Sequence, residues 1–289
     1  MSILIVGGDS AIARATLAVL REHGMPATTT TRRRGSASGR RSFLDLAEPL
    51  GDWQPPAGTT VAGIFAAVGN LADCARDPAG SERVNVAGTI ALVERLVAYG
   101  VYVLYLSTDK VFDGSRAQMP ADAALNPRST YGRQKAQTDA YLQAMIAAGA
   151  PVGILRLARI APPGWPLLRQ WRDDLAIGRT VHPFDDMMAA PTAASHAAAA
   201  IVALLQARAT GVWQLSGTRD LSYTEIAHGI AQRSGADPRL VEPMIAAAVG
   251  MPEGAMPRHT TLDCSALEAR FGIRPQDPWR VIEAELGLC

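Results

Sequence analysis

Cysteine is scarce. Cys74, Cys264 and Cys289 are the three in 289 residues, far apart and with no CxxC pair. Neither a disulfide framework nor a zinc site is expected. The five histidines, His23, His182, His196, His228 and His259, show no metal-ligand spacing, so no bound metal is expected. Net charge is nearly nil: 28 Lys and Arg against 27 Asp and Glu leave +1. No overall field draws the chain to nucleic acid or to an acidic membrane. Long hydrophobic runs are also missing. The apolar run Ile3–Val6 stops at Gly7 with no basic segment before it, so a secretion signal is not expected. The Ala-rich stretch from Met187 to Leu205 is broken by Pro191, Thr192, Ser195 and His196. It reads as a buried helix rather than a membrane span, and the cytoplasm is the expected location.

What is present is apolar mass, 48% of residues, enough for a sizeable core. The first half alternates short apolar runs with helical periodicity. Strands are expected at Ser2–Val6, Ala27–Thr31, Thr59–Ala67, Val101–Ser107 and Pro151–Leu157. Helices are expected at Ala11–Glu22, Ser81–Ala98 and Thr130–Ala148. Repeated βα units of this kind imply an α/β fold with a parallel, doubly wound sheet. Pro162, Pro163, Gly164 and Pro166 then loosen the rhythm. Shorter elements follow, with helices near Leu167–Ile177, Thr192–Ala207 and Tyr223–Ser234, a strand at Gly211–Leu215 and a last helix from Pro278. A nucleotide-binding domain over 1–160 is expected, with a smaller substrate-binding lobe over 161–289, interleaved with the sheet.

The strand ending in Leu106-Ser107-Thr108-Asp109 is followed by Tyr131-Gly132-Arg133-Gln134-Lys135. Tyr131 and Lys135, four apart, share a helix face. A nearby ammonium favours the ionised phenol. The Thr108 hydroxyl can hold a carbonyl oxygen while Tyr131 gives or takes a proton. This equipment reduces ketones or oxidises alcohols, given a bound hydride carrier.

The first strand runs into Gly7-Gly8-Asp9-Ser10-Ala11-Ile12-Ala13. Small residues there let a pyrophosphate approach the backbone and the helix N-terminus. Gly7, Ser10, Ala11 and Ile12 are the candidate contacts. The second strand ends before Arg32 and Arg33, with no acid beside them in sequence. Arginine at that tip suits the 2′-phosphate of NADP, whereas an acid suits the 2′-hydroxyl of NAD. NADPH is therefore the preferred cofactor, with NAD left open. Asp45 and Leu46 are placed towards the adenine, and Ala66, Ala67 and Val68 towards the ribose.

These segments resemble, in order, the extended short-chain dehydrogenase/reductases, and within them dTDP-4-dehydrorhamnose reductase and its sugar-nucleotide-binding relatives. The resemblance also rests on Val84-Asn85, Val111-Phe112-Asp113-Gly114, Ile154-Leu155-Arg156, Pro191-Thr192, Gly211-Val212-Trp213 and Leu262-Asp263-Cys264-Ser265. It implies a Rossmann-like domain binding NADPH or NADH, and Thr108, Tyr131 and Lys135 as the catalytic set. Tyr131 would be the acid. Lys135 would lower its pKa and hold the nicotinamide ribose, and Thr108 would orient the substrate oxygen. The implied partner is a small carbonyl compound such as a 4-keto sugar nucleotide, and such proteins often pair through the two long helices into a homodimer. The chain departs from the family pattern at Ser10 and Ala13 for glycines, Gly69 for a polar residue and Lys110 for a tyrosine. It departs further at Asp186–Thr192 and at Met256-Pro257. Lys110, where dehydratases carry a glutamate, argues against dehydration. Epimerisation, or a cofactor-binding regulatory subunit like that of methionine adenosyltransferase, are the competing readings.

Overall fold

The computed structural model describes residues 2–249 and 256–288. Cys289 and part of the Pro- and Met-rich stretch at 238–257 lie outside the described residues. In chain order the first elements are β1 (Ser2–Val6), α1 (Ala11–Glu22), β2 (Ala27–Thr31), β3 (Arg41–Phe43), β4 (Thr59–Ile64), α2 (Leu71–Arg76) and α3 (Pro78–Glu82). A π-helical segment, Arg83–Gly88, leads into α4 (Thr89–Ala98), then β5 (Tyr102–Thr108), α5 (Thr130–Ala147) and β6 (Val152–Leu157). There follow β7 (Ile160–Ala161), α6 (Pro166–Ala176), β8 (Met188–Ala189), β9 (Thr192–Ala193), α7 (Ala194–Ala207) and β10 (Gly211–Leu215). The last are β11 (Leu221–Ser222), α8 (Tyr223–Ser234), α9 (Ser265–Phe271) and α10 (Pro278–Leu286).

Seven strands form one sheet in the order β10-β6-β5-β4-β1-β2-β3. Strands from β6 through β3 run parallel to their neighbours. The order reverses beside β1, the switch point where this class of sheet opens a crevice at its strand C-termini. The strands are apolar on both faces, as a parallel sheet covered on both sides requires. Leu4, Val6, Ala62, Ile64, Val103 and Ile154 pack with Leu92, Val93 and Leu96 of α4 and Leu142 of α5. Their alternates Ile3, Ile5, Leu104 and Leu155 are equally buried. Each such side chain contributes about 1.5–3 kcal/mol of transfer free energy.

The chain forms two compact units. The first contains the residues up to Phe112, Ala124–Leu157 and Ser195–Gln214. The second contains Asp113–Ala123, Ala158–Ala194 and the residues from Leu215 onward. A simple division at residue 160 differs from this in two places. Ser195–Gln214 returns to the first unit because β10 lies beside β6 in the large sheet. Asp113–Ala123 joins the second, where Met119 and Thr261 pair through their backbones. The second unit has its own core, in which Trp165, Leu168, Trp171 and Leu175 of the α6 region pack with Ile226 and Ile230 of α8 and Val281, Ile282 and Leu286 of α10.

Ser81–Ala98, expected as one helix, is α3, the π segment and α4. A Cβ at Gly88 would stand 2.0 Å from the carbonyl oxygen of Leu46, so the backbone passes that loop at a distance only glycine allows. β3 and α2 are additional elements, too short to show a period.

Candidate active site

The glycine turn after β1 is shaped by what surrounds it. Gly7 has φ +85, and a Cβ there would lie 2.6 Å from the amide nitrogen of Ala66. The Gly7 amide donates to Thr30 Oγ1 at 3.1 Å and the Gly8 amide to the Thr30 carbonyl at 3.0 Å. Ser10 stands where the pattern has glycine and serves as the N-cap of α1, accepting from the Ala13 amide at 3.2 Å. The first turn of α1 carries no acid, and its N-cap Ser10 lines a cleft.

In front of this turn is a cleft of about 250 Å³, all within the first unit. Of the expected cofactor residues, Gly7, Ser10, Ala66, Ala67 and Val68 line it on the side of β1 and β4. Arg32, Asp45 and Leu46 line it on the far side. Ala11 and Ile12 belong to the first turn of α1 rather than to the cleft wall, and Arg33 is exposed with its amide bonded to Thr31 Oγ1 at 3.1 Å. Sequence reasoning missed Asp9, Thr30, Thr31 and Phe65, which line the same cleft. It also missed Arg41, which pairs with Asp9. An acid therefore does stand at the tip of β2, supplied by the glycine turn. Periodicity carries no signal for a pair 32 residues apart.

Val68 joins this cleft to the residues at the end of β5. Buried Asn85, in the π segment, accepts from the Val68 amide at 2.8 Å and donates to its carbonyl at 3.1 Å. Asn85 also donates to Gln134 of α5 at 2.9 Å, and its own carbonyl accepts from Thr138 at 2.8 Å. The loop after β4 is thereby tied to the helix that carries Tyr131 and Lys135.

Thr108 ends β5, is buried, and donates to Asp109 Oδ1 at 2.9 Å. Lys110 holds the other carboxylate oxygen at 2.9 Å. Ser129 caps α5 by accepting from the Gly132 amide at 3.0 Å. A Cβ at Gly132 would lie 2.3 Å from the Lys110 carbonyl oxygen, so this glycine seats the start of α5 against the turn after β5. Tyr131 is thereby brought beside Thr108. Burial raises the Tyr131 pKa well above its ordinary value, Asp109 and Cys74 add to the rise, and Thr108 opposes it.

Lys135 is buried one turn further along. Its ammonium donates to the Leu106 carbonyl oxygen at 2.6 Å and lies 3.9 Å from the centroid of the Tyr105 ring. Burial pushes its pKa down to about 7, with Asp139 opposing. Loss of hydration dominates both groups, moving the phenol up and the amine down. Beneath them Asp139 and Arg156, both fully buried, form a bidentate pair at 2.8 and 2.9 Å. Ser107 and Gln143 donate to the same carboxylate at 2.8 and 2.7 Å.

Among the described residues, no group of three or more His, Cys, Asp or Glu is placed to hold a metal ion, and no helix is long and apolar enough to cross a membrane.

A parallel sheet opening at a glycine turn, with Thr, Tyr and Lys gathered at the end of a strand two places away, is the arrangement of an extended short-chain dehydrogenase/reductase. Within that class the chain belongs to the RmlD substrate binding domain family, which it matches over residues 1–285. It is 30% identical over 227 residues to dTDP-4-dehydrorhamnose reductase of Streptomyces griseus, covering 74% of this chain and 72% of that one. It is 27% identical over 282 residues to dTDP-4-keto-6-deoxy-D-glucose reductase of Streptomyces niveus, covering 96% and 93%. It is also 24% identical over 218 residues to methionine adenosyltransferase 2 subunit beta of Xenopus tropicalis, covering 68% and 60%. The fold superposes on a dTDP-4-dehydrorhamnose reductase of Clostridium acetobutylicum with a TM-score of 0.81 at 19% identity, covering 100% of this chain and 99% of that one. It superposes on the Bacillus anthracis reductase in complex with NADP with a TM-score of 0.78 at 17% identity, covering 99% and 96%.

Proposed function

We propose that the protein is an NAD(P)H-dependent reductase of a keto group, acting on a 4-keto-deoxy sugar nucleotide or a related carbonyl compound. The observation that carries this reading is the placement of Tyr131 and Lys135, on one face of α5, against the end of β5 that bears Thr108, beside a loop whose Val68 also lines the glycine-turn cleft. The small residues Gly7, Ser10, Ala66 and Ala67 line the cleft and would let a dinucleotide's pyrophosphate approach the backbone. The N-terminus of α1 would supply the complement to that pyrophosphate.

The residues of the glycine-turn cleft, with Lys135, would hold a reduced nicotinamide dinucleotide, which would supply the hydride. Thr108, with its hydroxyl turned from Asp109, would donate to the substrate oxygen and hold it in place. Tyr131, kept protonated by burial, gives its proton to that oxygen as negative charge develops there. Lys135 spends one donor on Leu106 and keeps others for the ribose hydroxyls. With a pKa of about 7 it can also return a proton to Tyr131. Arg32, on the cleft wall, favours the 2′-phosphate of NADPH over NADH.

The likeness to methionine adenosyltransferase 2 subunit beta favours a second reading, a cofactor-binding subunit without turnover. One experiment separates the two: purified protein is mixed with NADPH and a dTDP-4-keto-6-deoxyhexose, and cofactor oxidation is followed. Oxidation matched by alcohol product supports the reductase. Tight NADPH binding with no turnover on such sugars or on simpler ketones supports the subunit.

A further inference from the structure

We propose that Asp9 reads the 2′ position of the adenosine ribose and restrains the preference for a 2′-phosphate that Arg32 confers. The proposal rests on reading the cleft as the cofactor site. Asp9, Thr31 and Arg32 line that cleft together at the C-terminal end of β2, where sheets of this class hold the adenosine ribose. The carboxylate is oriented from two sides: Oδ2 accepts from Thr31 Oγ1 at 2.8 Å, and Oδ1 is paired with the guanidinium of Arg41 on β3. Both side chains of the pair remain 35% exposed, so a ligand can reach them.

Each carboxylate oxygen keeps a lone pair beyond the bond it already accepts. A ribose 2′-hydroxyl can donate to it at no electrostatic cost. A 2′-phosphate meets a like charge there, and it finds the Arg41 guanidinium already engaged. Arg32 and Asp9 therefore pull in opposite directions on the same atom of the cofactor. Removing the Asp9 charge both relieves the repulsion and frees Arg41 for charge-assisted bonds to phosphate.

The test is calorimetric titration of the full chain with NADPH, NADH and the fragments 2′,5′-ADP and 5′-AMP, none of which requires turnover. Asp9→Asn is expected to bind NADPH and 2′,5′-ADP about tenfold more tightly, with NADH and 5′-AMP unchanged or a few-fold weaker. Unchanged or weaker NADPH binding in this variant overturns the proposal. Arg41→Met provides an independent arm should Asp9→Asn fold poorly. Leaving Asp9 without its counter-charge, it is expected to weaken NADPH about tenfold and spare NADH. Equal effects on both cofactors would mark the pair as structural only and overturn the proposal. Wild-type protein that binds neither cofactor nor either fragment would instead remove the cofactor reading itself.

Discussion

The Lys135 ammonium donates to the Leu106 carbonyl oxygen at 2.6 Å. This bond ties the second turn of α5 to the end of β5, one residue before Ser107 and two before Thr108. The cation is thereby anchored to the strand that ends at Thr108, in a site where burial has already depressed its pKa from 10.5 to about 7. Between those values the folded chain binds fewer protons than the unfolded one. The contribution of Lys135 to stability therefore rises with pH from about 7 to about 10.5, and its full penalty is present below about 7. Lys135→Met cannot titrate and should lose that slope. Urea unfolding at about pH 7 and about pH 9 measures it. Equal slopes in the two proteins would count against the assignment.

Tyr131→Phe should reduce turnover by roughly 10²–10⁴-fold while leaving NADPH affinity nearly intact, because the phenol gives a proton and holds little of the cofactor. Steady-state rates and a binding titration on the same preparation decide it. Wild-type turnover in the variant would exclude Tyr131 as the acid.

Arg32 lines the cleft and Arg33 does not. Arg32→Ala should therefore cost NADPH binding about 1.5–3 kcal/mol, the worth of a charge-assisted bond, and leave NADH unaffected. Arg33→Ala should change neither. If NADPH binding falls only when Arg33 is replaced, the side chains reach the ribose differently from this geometry.

The buried pair of Asp139 and Arg156 makes a stability prediction independent of cofactor. Asp139→Asn leaves a fully buried guanidinium without its counter-charge and should destabilise the fold by about 3–5 kcal/mol, read from chemical denaturation. Replacing both, as Asp139→Leu with Arg156→Met, should restore part of that loss. A double variant no more stable than the single one would show that the pair is held for more than charge compensation.

Assembly is the remaining expectation. Ala87, Ala91 and Ala98, running from the π segment along α4, and Ala140, Ala144 and Ala147 on α5 are all exposed. Tyr141 of α5 is hydrogen-bonded to Glu94 of α4. Small side chains let a second copy approach these helices closely. Light scattering should give twice the 30.6 kDa monomer mass, and Ala144→Arg should return it to one. A wild-type protein that stays monomeric on concentration would end this idea.

Local pattern determined much of what is observed. The bounds of β1, α1, β2, β10 and α8 follow from apolar runs, alternation and caps such as Ser10 and Ser222, all of which act within a few residues. The Tyr131/Lys135 spacing and the glycine turn were legible for the same reason, since both are short-range. Tertiary structure alone decided the rest. The π-helical stretch inside Ser81–Ala98, and the close pass of Gly88 by the Leu46 carbonyl, left no mark in the apolar periodicity. The shifts of Tyr131 and Lys135 come first from burial, which no spacing in the chain reveals. The acid at the tip of β2 comes from Asp9, and the arginine that restrains it from β3. Residue type and spacing specify a helix face or a turn. Which charges meet across the sheet is set by strand order, and strand order is written in no single stretch of the chain.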